Sequence, residues 1–335
     1  MRHVAAQLGV DVVAFASAEP FKEFSDALVE RSHLYVESRG APLGVRTRLE
    51  ALRLRAEPAA RMPGARSIIL LGVYNNDDVS WLAELGSEPR GRIARRYSYF
   101  KLVEQAATQL VDFLRQSGHS AILAEDSVPI KPALVRSGLA WFGKNTLTYV
   151  DGYGSWIDWL PILTDAELAE AIRGPANRAH PRCENCQACL EACPSGALYE
   201  PFKLDPDRCV SSISRYEHEV AAQARPWMGA WLCGCDICQE VCPINREAKP
   251  RRRPLQAKPS TYGGFSLPPE MSPRPALIPL LKLDEPQYRS LKRNAIIALG
   301  NLRSTEALPE LERIARDPAS SLNEYAQWAI EAIRR

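Results

Sequence analysis

The nine cysteines constrain this 335-residue chain more than any other feature, because all of them fall between Cys183 and Cys242. The first four are spaced Cys183-x2-Cys186-x2-Cys189-x3-Cys193-Pro194, and Cys235-x2-Cys238-x3-Cys242-Pro243 repeats the end of that pattern. This is the ligand run of two-cluster bacterial ferredoxins, in which the fourth cysteine of each run crosses to the other [4Fe–4S] cluster. By that rule one cluster takes Cys183, Cys186, Cys189 and Cys242, and the other takes Cys193, Cys235, Cys238 and one more. A regular second run would place the missing cysteine at Leu232, which leaves Cys209 and Cys233 as candidates. Cys209 is the better choice, since a single residue separates Cys233 from Cys235 and sharing one cluster would strain both. Zinc sites use separated Cys-x2-Cys pairs rather than three cysteines in seven residues. A disulfide framework would need an oxidising compartment, to which nothing in the sequence points.

The chain is long enough for a sizeable core and more than one domain. Its formal charge of +2 argues neither for nor against a nucleic-acid partner. The start of the chain is too short and too mixed in character for a signal peptide. No apolar run reaches 18 residues, so no spanning helix is expected; exposed thiolates that are to hold an iron–sulfur cluster make the cytoplasm the expected address.

Residues 1–172 read as an α/β domain. Apolar, β-branched runs at 10–16 and 67–73 predict buried strands, 120–124 a third, and 99–114 a helix closed by Gly118. Residues 173–247 form the ferredoxin-like two-cluster segment, and 248–284 a proline-rich basic linker. Residues 285–335 carry three helical stretches, at 291–299, 307–315 and 325–333, in a HEAT-like pattern.

Two further segments carry chemistry. Glu125-Asp126-Ser127-Val128-Pro129 puts a carboxylate and a proline turn after a strand, and Ser137-Gly138-Leu139-Ala140-Trp141-Phe142-Gly143-Lys144-Asn145-Thr146 follows a short helix. The end of a strand in an α/β domain is where such folds place their sites. Together with Gly154-Ser155-Trp156, Leu163-Thr164-Asp165, Arg208-Cys209, Gly234-Cys235-Asp236 and Arg293-Asn294-Ala295, these segments resemble the epoxyqueuosine reductase family.

That resemblance implies a cobalamin-dependent reductase that removes the epoxide oxygen of epoxyqueuosine in tRNA, giving queuosine. Electrons from an external donor such as flavodoxin or ferredoxin would pass through the two clusters to the cobalt, taking it to Co(I). The resemblance assigns Cys209 to the second cluster and makes Asp126 the proton donor, a role that needs a protonated carboxyl. The alternative for Asp126 is a turn aspartate. Ser211 and Ser212, close after Cys209, are candidates for holding cofactor amides or for capping the helix that follows. Asp236 is a candidate for accepting a corrin amide, or for a turn role. No histidine pair suggests a ligand to cobalt, although His218 is an axial candidate. Trp141, Trp156, Trp159 and Trp231 are expected in the core or as cofactor walls.

Basic residues at 246–258, with Lys282, Arg289, Lys292, Arg293 and Arg303, are candidates for neutralising tRNA phosphates. The chain is expected to be a monomer without a membrane partner. It departs from the family pattern at Arg95-Arg96-Tyr97-Ser98, at Leu160-Pro161 and at Ser214-Arg215-Tyr216. A corrinoid reductase of another substrate, in the manner of reductive dehalogenases, and a non-catalytic electron-transfer module are the alternative readings.

Overall fold

The computed structural model describes residues 2–36, 49, 52–76, 87–98, 100–125, 127–168, 179–215, 219–250, 274–283 and 286–335. In chain order the elements that build the N-terminal part are α1 (Arg2–Gln7), β1 (Val12–Ser17), α2 (Lys22–Glu30), β2 (Ser67–Tyr74), β3 (Arg92–Ile93), α3 (Phe100–Gln116), β4 (Ala121–Leu123), α4 (Ile130–Arg136), β5 (Ala140–Phe142), β6 (Thr148–Val150) and β7 (Ile157–Thr164). Four of the strands form one antiparallel sheet in the order β1-β2-β7-β4. Every residue of β2 is buried, as a central strand covered on both faces requires.

One face of the sheet packs on α1 and α3 through Ile69, Leu71, Leu160 and Ile162 against Val103, Ala106, Leu110 and Leu114. The other face, through Ile68, Leu70 and Leu163, meets Phe21, Ala133, Leu134 and Val150. Periodicity at 3.6 residues explains why α3 buries that stripe; Phe113, off the stripe, stays exposed. Helix α4 ends where Gly138 adopts φ +78°, a left-handed C-terminal stop that favours glycine.

Register sets which ends lie together. Tyr74 of β2 pairs with Ile157 of β7, and Leu123 of β4 pairs with Ile162. The C-terminal ends of β2 and β4 and the start of β7 therefore share one edge of the sheet. The short hairpin β5–β6 stands beyond it, with Trp141 opposite Tyr149.

The rest of the chain adds α5 (Ala188–Glu191), α6 (Val210–Ile213), β8 (Trp231–Cys233), α7 (Ile237–Glu240), α8 (Pro243–Glu247), α9 (Leu277–Leu280), α10 (Arg289–Asn301), α11 (Leu308–Arg316) and α12 (Asn323–Arg334). Helices α10 to α12 do not form a core of their own. Leu291, Ile296, Leu299, Ile314, Tyr325 and Ala329 share one core with Val210, Ile213, Met228, Trp231, Leu232 and Cys233. Among the described residues, no helix is long and apolar enough to cross a membrane.

Candidate functional site

Cys183, Cys186, Cys189 and Cys242 line one cavity, together with Lys144, Asn145 and Tyr149 from the β5–β6 hairpin. Both cysteine runs therefore contribute to it. Burial raises the Cys183 thiol and pushes Cys189 up to about 11. Thiols this poorly solvated become thiolates when a bound cation, rather than water, stabilises the charge.

The hairpin grips this site by specific bonds. Lys144 Nζ donates to the carbonyls of Glu184, at 2.9 Å, and Cys186, at 3.0 Å. Asn145 Nδ2 donates to the Tyr149 hydroxyl at 2.8 Å and to the Cys238 carbonyl at 3.3 Å. Gly143 is required by this packing, because a Cβ there would collide with the Tyr149 ring.

A second group forms beside the first. Cys209 and Cys235 each feel the charge of Cys193, and Cys238 feels those of Cys235, Cys209 and, across the boundary, Cys189. Burial raises Cys209, pushes Cys235 up to about 12 and holds Cys238 well above the usual thiol range. Cys233 is placed elsewhere: fully buried in β8, it lies beside Tyr97 and faces Arg215 and Arg96. Among the described residues, no three His, Cys, Asp or Glu side chains converge on a single-ion site; the thiols of the first group ring a cavity instead.

Ser211 and Ser212 do not cap the helix after Cys209. Cys209 itself is the N-cap residue of α6, and its backbone carbonyl accepts the Ser212 N–H at 2.8 Å.

Asp236 is buried, with one oxygen accepting the Arg95 N–H at 2.9 Å and the other accepting Gln239 Nε2 at 2.9 Å. Desolvation pushes it up to about 6, against the backbone bond from Arg95. It ties the loop before α3 to the second cysteine run.

A polar cluster that sequence reading did not single out lies at the same edge of the sheet. Asp158 in β7 is buried, accepts Asn75 Nδ2 at 3.0 Å and stands 4.0 Å from Arg96 Nε. Desolvation pushes its carboxyl up to about 7, opposed by the Arg96 charge. Asn76 bonds Arg95, whose guanidinium lies 4.5 Å over the Trp156 ring. On the first turn of α4, Lys131 has its ammonium lowered by desolvation, then by the Arg96 charge, against Cys209 and Cys238.

The strand before Asp126 leads to this edge, with Ala124 N–H bonded to the Pro161 carbonyl at 2.9 Å and a turn closed by Ser127 N–H on Ala124 O at 2.9 Å. Asp126 itself and His218 lie outside the described residues, as does the basic stretch 251–258. Trp156 and Trp231 are core residues; Trp141 and Trp159 are half-buried. Among the basic candidates, Arg246, Lys282 and Arg303 are exposed, whereas Arg293 is fully buried and not available to phosphate. Its Nε donates to Asn294 Oδ1 at 3.0 Å.

Residues 182–245 match the 4Fe-4S double cluster binding domain. Over nearly its whole length the chain is similar to curated proteins named epoxyqueuosine reductase. It is 27% identical to that of Bacillus subtilis, over 98% of this chain and 86% of the relative. It is 29% identical to that of Pseudomonas aeruginosa, over 82% and 79% respectively. Solved structures agree: a Bacillus subtilis epoxyqueuosine reductase with its catalytic loop swung out of the active site superposes with a TM-score of 0.79 at 26% identity, over 99% of this chain and 89% of that one. A selenomethionine-labelled epoxyqueuosine reductase gives 0.78 at 25% identity, with the same coverage. In sequence and in fold, the chain is similar to the epoxyqueuosine reductases along nearly its whole length.

Proposed function

We propose that the chain is a cobalamin-dependent reductase that converts epoxyqueuosine in tRNA to queuosine. The observation that carries this is the match in sequence and fold along nearly the whole chain to epoxyqueuosine reductases, both cysteine runs included. A related structure, at 24% identity and TM-score 0.78 over 99% of this chain and 88% of that one, is an epoxyqueuosine reductase with an epoxyqueuosine-modified tRNA-Tyr stem loop.

On this reading one [4Fe–4S] cluster is held by Cys183, Cys186, Cys189 and Cys242, and the other by Cys193, Cys209, Cys235 and Cys238, with Cys233 a core residue. The cavity lined by the first four thiols and the mutual approach of the second four fit that assignment. For cobalamin the fit rests on Asn75 Oδ1, a buried acceptor with no donor among the described residues, beside Asp158 at the sheet edge. A corrin rimmed with amides supplies such donors, and Asp126, Ser211, Ser212 and Asp236 are the further residues assigned to it.

When bound, the clusters carry single electrons and the corrin supplies the reductant for the epoxide carbon–oxygen bond. The chain's own residues do the rest. Asp126 delivers a proton to the departing oxygen. Asp236 and Asn76 hold the Arg95–Arg96 loop against the site.

Residues 1–172 then form the cobalamin and substrate domain, 173–247 the cluster domain, 248–284 the linker and 285–335 a HEAT-like region. Exposed Arg246, Lys282 and Arg303 are assigned to tRNA phosphates. A monomer in the cytoplasm, reduced by flavodoxin or ferredoxin, completes the reading.

Mass analysis of nucleosides from epoxyqueuosine-containing tRNA, digested after incubation with the reduced, cobalamin-loaded protein, is expected to show queuosine. Unchanged epoxyqueuosine, with the cobalt demonstrably reduced, would refute the substrate. Asp126→Asn is expected to lose turnover by at least about a hundredfold, the usual worth of a general acid, while keeping both clusters and cobalamin.

A further inference from the structure

Tyr149 sits between the two cysteine groups, 2% exposed. Its oxygen accepts one Asn145 Nδ2–H at 2.8 Å. The other Nδ2–H is directed to the Cys238 carbonyl at 3.3 Å, and Asn145 Oδ1 accepts the Leu147 N–H at 3.3 Å. These neighbours fix the amide, because a flipped Asn145 would set its oxygen against a carbonyl and its NH2 against an N–H. With its oxygen accepting from Asn145, the Tyr149 hydroxyl has its own proton to donate, and Tyr149 lines the same cavity as Cys183, Cys186, Cys189 and Cys242.

We propose that Tyr149 is a positioning residue that sets the reduction potential of the cluster held by Cys183, Cys186, Cys189 and Cys242. Asn145 aligns it from the peptide of Cys238, which belongs to the other cluster. The inference rests on the two-cluster reading and deepens it. Reduction adds negative charge that spreads onto the cysteine sulfurs, so a donor to sulfur stabilises the reduced cluster more than the oxidised one and raises its potential. Burial strengthens that bond by removing competing water.

Tyr149 is a side-chain donor on the first group, so replacing it probes one cluster and spares the other.

The test is a potentiometric titration of the full-length, cluster-loaded chain, followed by electron paramagnetic resonance, with Tyr149→Phe beside the wild type. Phenylalanine keeps the ring and removes only the donor. One cluster couple is expected to move to more negative potential while the other stays in place and iron content is unchanged. Two clusters with both potentials unmoved would overturn the inference. Asn145→Asp provides a second route, since a carboxylate would draw the Tyr149 proton away from Cys242 and give a shift of the same sign. A shift in neither variant that retains both clusters, or an equal shift of both couples, would also overturn it. A wild-type chain that holds fewer than two clusters would instead refute the two-cluster reading beneath it.

Discussion

Asp158 stands in the strand Ile-Asp-Trp-Leu-Pro-Ile-Leu-Thr, a carboxylate within an otherwise apolar segment. Its burial pushes the carboxyl from the ordinary 3.8 up to about 7, against the pull of Arg96 and the Asn75 amide. A carboxyl raised in the folded state costs nothing while it is protonated in both states. The cost grows as pH climbs from the unfolded value towards the folded one and is constant above it. Asp158→Asn keeps an acceptor for Asn75 and removes that cost. Its gain in unfolding free energy over the wild type is therefore expected to increase between about pH 4 and pH 7, reaching on the order of a few kcal/mol, and to stay constant above that. A gain independent of pH would refute the assignment. An acid inside an apolar strand is legible in sequence as an anomaly. Its partners are not, because Asn75 and Arg96 are brought in by β2 and by the loop ahead of α3.

The β5–β6 hairpin shows what a short element does that its pattern does not reveal. Sequence marks Gly143-Lys144-Asn145 as a signature, whereas the fold uses it as a clamp on both cysteine runs, Lys144 on the first and Asn145 on the second. Lys144→Met keeps the aliphatic stem and removes both bonds to the Glu184 and Cys186 carbonyls. Losing two bonds of about 1 kcal/mol each is expected to make iron release to a chelator faster by roughly thirtyfold. An unchanged rate would show that the run holds its shape unaided. The longer elements were legible from periodicity: the strands expected at 10–16 and 67–73 are Val12–Ser17 and Ser67–Tyr74, and the helix expected at 99–114 is Phe100–Gln116. Their antiparallel pairing was not legible, since apolar runs fix burial and leave strand direction to the connections.

At the scale of the molecule, the C-terminal helices build part of the cluster segment. Asn294 is fully buried, and its Nδ2 donates to the Ser214 carbonyl at 2.6 Å and the Leu232 carbonyl at 2.7 Å. Ser214 Oγ in turn accepts the Gly234 N–H at 3.0 Å. Gly234, at φ +72°, has no room for a Cβ against Ala94 and Tyr97. These bonds tie α10 to the residues that follow Cys209 and precede Cys235. The basic composition of this region suggested an RNA-facing surface; the burial of Arg293 and Asn294 is a long-range fact that no local pattern carries.

Among the described residues, the two sheet cores, by contrast, draw on none beyond Ala248. Ending the chain after residue 283 therefore leaves those cores whole and strips the shared core from around α6 and β8. The cavity lined by Cys183, Cys186, Cys189 and Cys242 keeps its hairpin clamp. The truncated protein is expected to hold about half the iron of the full chain, with one cluster signal retained and the other lost. If the helices were a separable RNA-binding appendage, both signals would persist and only affinity for tRNA would fall. Iron analysis and electron paramagnetic resonance on the same preparation decide between these outcomes, because an appendage and a wall of the cluster site cannot give the same spectrum.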